Sequence, residues 1–212
     1  MSLSHAHRNI DHEPAKKPGS LGHVSVPDGK SGPWTIDTYV ATKDEVLLEN
    51  LRAIRNGTPE LVCPPGSYKR LWHRNRGVVM SNTPMEVRTC LAGFQEASGR
   101  VLVSGLGLGM FVEAISAKPE VQSITVVEID SDVISLVAPT FAADPKIEIV
   151  QGSIWEYQKP KGTVYDFHWA DIWDQINSNN LEEMGRIKRR RLAKQTLCWS
   201  EALVRRDKRR WG

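Results

Sequence analysis

The chain has 212 residues, 40% hydrophobic and 25% charged, with a formal net charge of +3. That composition suits a globular protein with room for one sizeable core, and no apolar run approaches the ~20 residues of a membrane-spanning helix. The mild charge argues against nucleic-acid binding by the whole molecule. Three distant cysteines, Cys63, Cys90 and Cys198, without a CxxC pair, argue against a disulfide framework or a zinc site and fit a reducing cytoplasm.

Residues 1–32 are rich in His, Pro, Gly, Ser and Lys and show no apolar period. They read as a flexible tail without the apolar core of a signal peptide. His5, His7 and His12 lie in it, and no built metal site is expected there. Residues 33–99 follow as strands and helices that pack on the core. "PWTIDTYV" (33–40) predicts a strand, "KDEVLLENLRAIRNG" (43–57) a helix closed by Gly57, and "SYKRLWHRNRGVVMS" (67–81) a hairpin or two short strands. In "SNTPMEVRTCLAGFQEASG", Thr83 takes the N-cap, Pro84 the first helical position and Glu86 the third, a capping box. Val87, Cys90, Leu91 and Phe94 share one helical face, and Gly99 ends the helix.

From residue 100 the pattern alternates. Strands at 100–104, 123–129, 147–152 and 164–170 are separated by helices at 110–118 and 132–141 and by a short connection. A helix is predicted from about Leu181, with Asn180 and Glu183 as a second capping box, and a final one over about 197–210. Alternation of this kind means an α/β fold: a doubly wound, mostly parallel sheet with helices on both faces. After Asp174 no strand pattern is visible. The sheet is then either filled by the early segments 33–40 and 60–80 or covered at its edge by a second subunit, which predicts a homodimer.

"VLVSGLGLGM" (101–110) runs a buried strand into Gly105, Gly107 and Gly109. In such a sheet ligands bind beyond the carboxyl ends of the strands, where strand order reverses. Glycines let backbone approach a ligand there, and the helix start offers free N–H groups. Glu128 in "VVEID" follows Gly105 at about the spacing at which an acid meets ribose hydroxyls. The stretch therefore reads as a nucleotide-binding turn. Met110 at the sixth position of the glycine pattern speaks against a dinucleotide site and a dehydrogenase.

These residues resemble the class I S-adenosylmethionine (SAM) methyltransferases. They resemble most closely the spermidine-synthase-like branch, which carries "VLIIGGGDG" followed by "VEID". The resemblance spans roughly residues 75–175 and extends to small methyltransferase-like proteins of phage and bacterial genomes. It implies a Rossmann-like core over residues 100–212, C-terminally abbreviated, with SAM as cofactor, or decarboxylated SAM if an aminopropyl group is transferred. Gly105, Leu106, Gly107 and Gly109 are then expected at the methionine end and Glu128 at the ribose, with Ser153, Ile154 and Ile129 at the adenine. The chain departs from the pattern in three places. Val103 replaces an acid two residues before the first glycine. Leu108 replaces the aspartate of the synthases' turn, and Ser153 in "QGSIWEY" replaces the aspartate that takes the adenine amine.

"YDFHWADIWD" (165–174) matches the synthases' "YDVIIVDSSD", which places Asp171 and Asp174 on its two late acids. Asp171 is expected beside the cofactor as base or acceptor-amine ligand, with Asp174 supporting it. Trp155 and Trp173 read as pocket walls, whereas His168 and Trp169 read as core. Tyr68, Trp72, His73 and Asn82 lie in the segment that leads to the capped helix, and "GVVMSNTP" is a candidate lid or donor-side wall. The expected activity is methyl transfer to an unidentified acceptor. Aminopropyl transfer to a polyamine is the alternative, and a non-catalytic nucleoside- or nucleic-acid-binding protein is the rival from another class. The basic runs "RIKRRRLAK" and "RRDKRR" are solvated helix faces or a weak nucleic-acid contact.

Overall fold

The structure, a computed structural model, describes residues 19–56 and 62–211. In chain order its elements are β1 (Gly29–Ser31), β2 (Trp34–Ala41), α1 (Lys43–Arg55), β3 (Gly66–His73), β4 (Gly77–Ser81) and α2 (Pro84–Glu96). Next come β5 (Gly99–Ser104), α3 (Met110–Ser116), β6 (Val121–Glu128), α4 (Ser131–Val137) with a 3-10 turn at Ala138–Phe141, and β7 (Ile147–Gln151). The chain continues through β8 (Tyr165–Ala170), α5 (Asn180–Arg189), β9 (Ala193–Cys198) and α6 (Glu201–Trp211).

Two sheets result. Strands β1-β2-β3-β4 pair antiparallel in that order, and β7-β6-β5-β8-β9 form a fully parallel sheet. The second is the Rossmann-like α/β sheet that the alternating pattern predicts. Strand order reverses between β5 and β8. Neighbouring residues of each central strand pack into different cores: Val101, Val103, Phe167 and Trp169 on one face with α2 and α3, Leu102 and Val127 on the other. Ala170 joins Met184, Ile187 and Val204 of α5 and α6. Strands buried on both faces read as continuous apolar runs rather than alternating ones, which is why they were visible in the sequence.

Four expectations are corrected. The sheet is neither short of a strand nor filled by the early segments: β9 supplies the fifth parallel strand, and β1–β4 make a sheet of their own. "AKQTLC" (193–198) alternates only weakly and sits among basic residues, so a helical reading hid it. The bare edge beside β8 that predicted a homodimer is therefore occupied. After β9 the chain continues as α6. Secondly, residues 19–32 are packed and not a tail: Val26 is fully buried, Ser25 hydroxyl and backbone donate to Glu113, and β1 pairs with β2. Residues 1–18, with His5, His7 and His12, and Gly57 lie outside the described residues.

Thirdly, neither of those two capping boxes forms. Thr83 sits at the N-cap of α2, but its hydroxyl meets Ser81 Oγ at 3.0 Å and makes no cap bond. The N-cap of α5 is Asn179, and Glu183 instead accepts from Trp173 Nε1 at 2.8 Å. A reciprocal box does form where none was predicted, at α1, between Thr42 and Glu45. Fourthly, the buried stripe of α2 is Glu86, Cys90 and Gly93, while Leu91 is exposed. The helix ends at Glu96, so Gly99 opens β5, at φ +66°.

Candidate functional site

The parallel sheet brings three strand ends together at its reversal point. Gly105 N–H donates to Val127 O of β6, and Asp171 N–H donates to Ser104 O of β5. Gly105 has φ +91°, and a Cβ there would run into the carbonyl oxygen of Asp171. The glycine is required by chain crossing chain as much as by any ligand. Gly107, at φ +51°, lies under the Met80 sulfur, which accepts from Leu108 N–H at 3.2 Å.

Glu128 ends β6 and is buried. Its carboxylate accepts from Leu106 N–H at 2.7 Å and from Asp130 N–H at 2.9 Å. Burial pushes its carboxyl up, and the backbone N–H bonds pull against that. The acid expected at a ribose thus also clasps the glycine turn.

These groups open on a cavity of about 370 Å³, within the range of small-molecule sites. Gly105, Leu106, Gly107, Glu128, Ile129, Ser153 and Ile154 line one wall. Ile129 is 69% exposed, an unusual position for isoleucine, and it stands at this wall, whereas Ile154 is buried. Ser153 Oγ accepts from Trp155 N–H, and Ser153 O takes the N–H groups of Glu156 and Tyr157, so the residue caps a turn. Gly109 does not line the cavity. It precedes α3 at φ +72°, against Phe141 and Val137, and its part is to shape the turn.

A second part of the wall holds Glu86, Asp171, Trp169, Trp173 and Trp199. Glu86 is 7% exposed and has no ion-pair partner among the described residues. Burial pushes its carboxyl up to about 7. Asp171 keeps some surface open to the cavity. Burial first, and the charge of Glu86 second, push its carboxyl well above the usual range. Trp169 stacks on Phe111 at 5.0 Å, and its buried indole N–H turns toward the Asp171 carboxylate, whose charged form it favours. Trp199 Nε1 donates to Thr89. Glu86 was missed because T-P-x-E reads as a cap. The signal that finds it is its place four residues before Cys90, on the small-residue stripe that α2 turns inward.

The antiparallel sheet contributes Trp34, Leu71, Val79 and Met80 to the lining. Trp34 Nε1 donates to Asp130 at 2.7 Å, and Val79 and Met80 reach the cavity. Of "GVVMSNTP", Val79 and Met80 are the residues that line the cavity. Tyr68, Trp72, His73 and Asn82 do not line the cavity. They bond Pro64 O, Asp37, the edge of Trp34, and Gly22 O with Lys69 N–H. Asp174 stands at the exposed rim, paired with Arg76 at 2.8 Å, and Arg76 lies over Trp34. His168 is fully buried, shares a 2.7 Å bond with Ser104, and is pushed down to about 3 by burial and by Arg190, so it is a neutral core residue.

Much of the basic C-terminal run is engaged within the protein. Lys188 and Arg205 pair with Glu201, Lys194 with Asp166, and Arg190 donates to the carbonyls of Ile154 and Tyr157. Arg186 lies over Trp155, which also lines the cavity. Among the described residues no three His, Cys, Asp or Glu gather to hold a metal ion, and no helix is long and apolar enough to cross a membrane.

No protein-family model matches the chain, and no curated protein matches it. Solved structures share part of its backbone path. The 23S rRNA methyltransferase ErmE is 19% identical, with a TM-score of 0.34 over 41% of this chain and 34% of its own. A dimethyladenosine transferase of Plasmodium falciparum is 20% identical, with a TM-score of 0.33 over 47% of this chain and 35% of its own. A proposed RNA methyltransferase of Pyrococcus horikoshii is 11% identical, with a TM-score of 0.43 over 61% of this chain and 65% of its own. The chain spans about a third of the length of the first two and just under two thirds of the last. At those values the likeness is one of partial backbone path, and the fold class stands on the strand order itself.

Proposed function

We propose that the chain is a SAM-dependent methyltransferase. The observation that carries the reading is the conjunction at the sheet's reversal point: a left-handed glycine turn, the Glu128 carboxylate on the next strand, and a cavity of about 370 Å³ beside both. The wall suits the cofactor. Ile129 and Ile154 offer apolar surface to an adenine, Glu128 offers carboxylate oxygens to a ribose, and the N–H of Gly107 makes no bond among the described residues. SAM supplies an electrophilic methyl group on a sulfonium when bound. The chain's own task is then to align a nucleophile and take its proton. Glu86 faces that task with a carboxyl pushed up to about 7, so it exchanges a proton at little cost near pH 7, and burial raises the Asp171 carboxyl beside it in the same direction.

A second reading is aminopropyl transfer from decarboxylated SAM. It draws on the same wall, where two carboxyls beside three tryptophans offer both charge and aromatic faces to a cationic amine. Calorimetric titration with SAM, decarboxylated SAM and NAD separates the readings. The expected result is saturable SAM binding, weakened tenfold or more in a folded Glu128→Gln protein. Preference for the decarboxylated donor favours the second reading. Absence of binding to all three overturns both.

A further inference from the structure

Helix α1 rests on the protein through Val46, Asn50 and Ala53, with Asn50 bonded both ways to the Cys63 backbone at 2.8 Å. Its other side is apolar and open. Leu47, Leu48, Leu51 and Ile54 are each more than half exposed, and Val40 at the end of β2 is nearly so. They fall at helical spacing on one stripe. Stripes of this kind are not scattered surface apolars but interaction faces. Two charges border it. Asp44 lies in the first turn and Arg55 in the last, and neither has an ion-pair partner among the described residues.

We infer that this stripe docks a second copy of the chain, two α1 helices packing antiparallel about a two-fold axis near Asn50. A two-fold interface requires a surface complementary to itself, and this one is. A two-fold axis between Glu49 and Asn50 exchanges Leu48 with Leu51 and Asp44 with Arg55, and brings Leu47 of one helix within two residues' rise, about 3 Å along the axis, of Ile54 of the other. Apolar residues then meet apolar residues, and each free acid meets a free base. Parallel pairing would set Asp44 against Asp44 and Arg55 against Arg55. One helix pair with Val40 at its flank buries less than the roughly 1,000 Å² of a stable interface, so the dimer is weak and depends on concentration.

Sedimentation velocity across a wide concentration range tests this without reference to the enzymatic reading. The mass is expected to rise from the monomer's 23.8 kDa toward twice that value. A Leu48→Asp/Leu51→Asp protein should remain monomeric with an unchanged melting temperature, because both side chains are already in solvent. Asp44→Arg or Arg55→Asp alone should weaken association by roughly threefold to tenfold, since each breaks both symmetry-related pairs. The double swap should restore it. A monomer at every concentration overturns the inference. So does a dimer indifferent to Leu48 and Leu51, or a double swap that fails to restore association. A monomer that dimerises only after removal of residues 1–18 also overturns it, since the chain's own amino-terminal segment would then be what covers the stripe.

Discussion

At the glycine turn the N–H groups of Gly105, Leu106, Leu108 and Gly109 all donate within the protein, and both oxygens of Glu128 accept. Elsewhere in the lining, Glu86 lies buried without a counter-charge among the described residues, and Asp171 shares its field. One wall is closed by its own bonds and the other is left open. A buried unpaired polar group costs about 1–3 kcal/mol, and perturbed groups of this kind gather where chemistry is done. Substitution on the first wall should therefore damage the fold, whereas substitution on the second should spare or improve stability while removing activity.

The largest effect is expected at Gly105→Ala. The new Cβ would need φ near +91° and would meet the Asp171 carbonyl, which Asp171 N–H and Ser104 O hold in place. The neighbour is backbone and has no rotamer to yield. A loss above about 4 kcal/mol is expected, seen as a melting temperature lower by roughly 10 °C or more. A protein that melts normally would show that the turn is looser than its bonds imply.

Glu86→Gln should act in the opposite direction. A buried carboxyl raised to about 7 binds its proton more tightly folded than unfolded, where it titrates near 4.5. Its contribution is full below pH 4.5 and is lost as pH climbs through 7. The wild type therefore forfeits about 3 kcal/mol across that window from this group, and the neutral glutamine does not. Melts from pH 4 to 8 should show the variant gaining on the wild type up to about pH 7 and holding its lead above it. Methyl transfer should fall. A variant less stable at pH 8 would place a hidden partner on Glu86 and move it to the closed wall.

The same contrast explains what could be read from the sequence. The parallel strands, the glycine turn and Glu128 were legible because each depends on local pattern: apolar runs buried on both faces, glycines forced to positive φ, and an acid at fixed spacing. Glu86 was not. Its cap-like context T-P-x-E describes a bond that Thr83 makes with Ser81 instead, and only the tertiary placement of α2 against β8 aims the carboxylate inward. Strand β9 was lost to its basic neighbours. Residues 19–32 were lost to a composition that suits a tail yet holds Val26, whose burial is a long-range event. "GVVMSNTP" was legible only in part: its position before α2 pointed to the site, but which of its residues reach the cavity depends on the hairpin's register and on the β-bulge between Leu71 and Trp72.

The smallest effect sharpens the border between the two walls. Asp174 was expected to share the catalytic work of Asp171, yet it stands at the exposed rim with Arg76. Exposed pairs of this kind contribute about 1 kcal/mol or less, because water and salt screen both charges. Asp174→Asn should therefore shift the melting temperature by no more than about 4 °C. It should also leave transfer within roughly fivefold of wild type, whereas Asp171→Asn should abolish transfer in a protein that still folds. Arg76→Ala separates charge from position. If Asp174 matters only through its ion pair, removing either partner gives the same small loss. If freeing Asp174 from Arg76 instead raises transfer, the rim carboxylate belongs with Glu86 and Asp171, and the open wall extends to the mouth of the cavity.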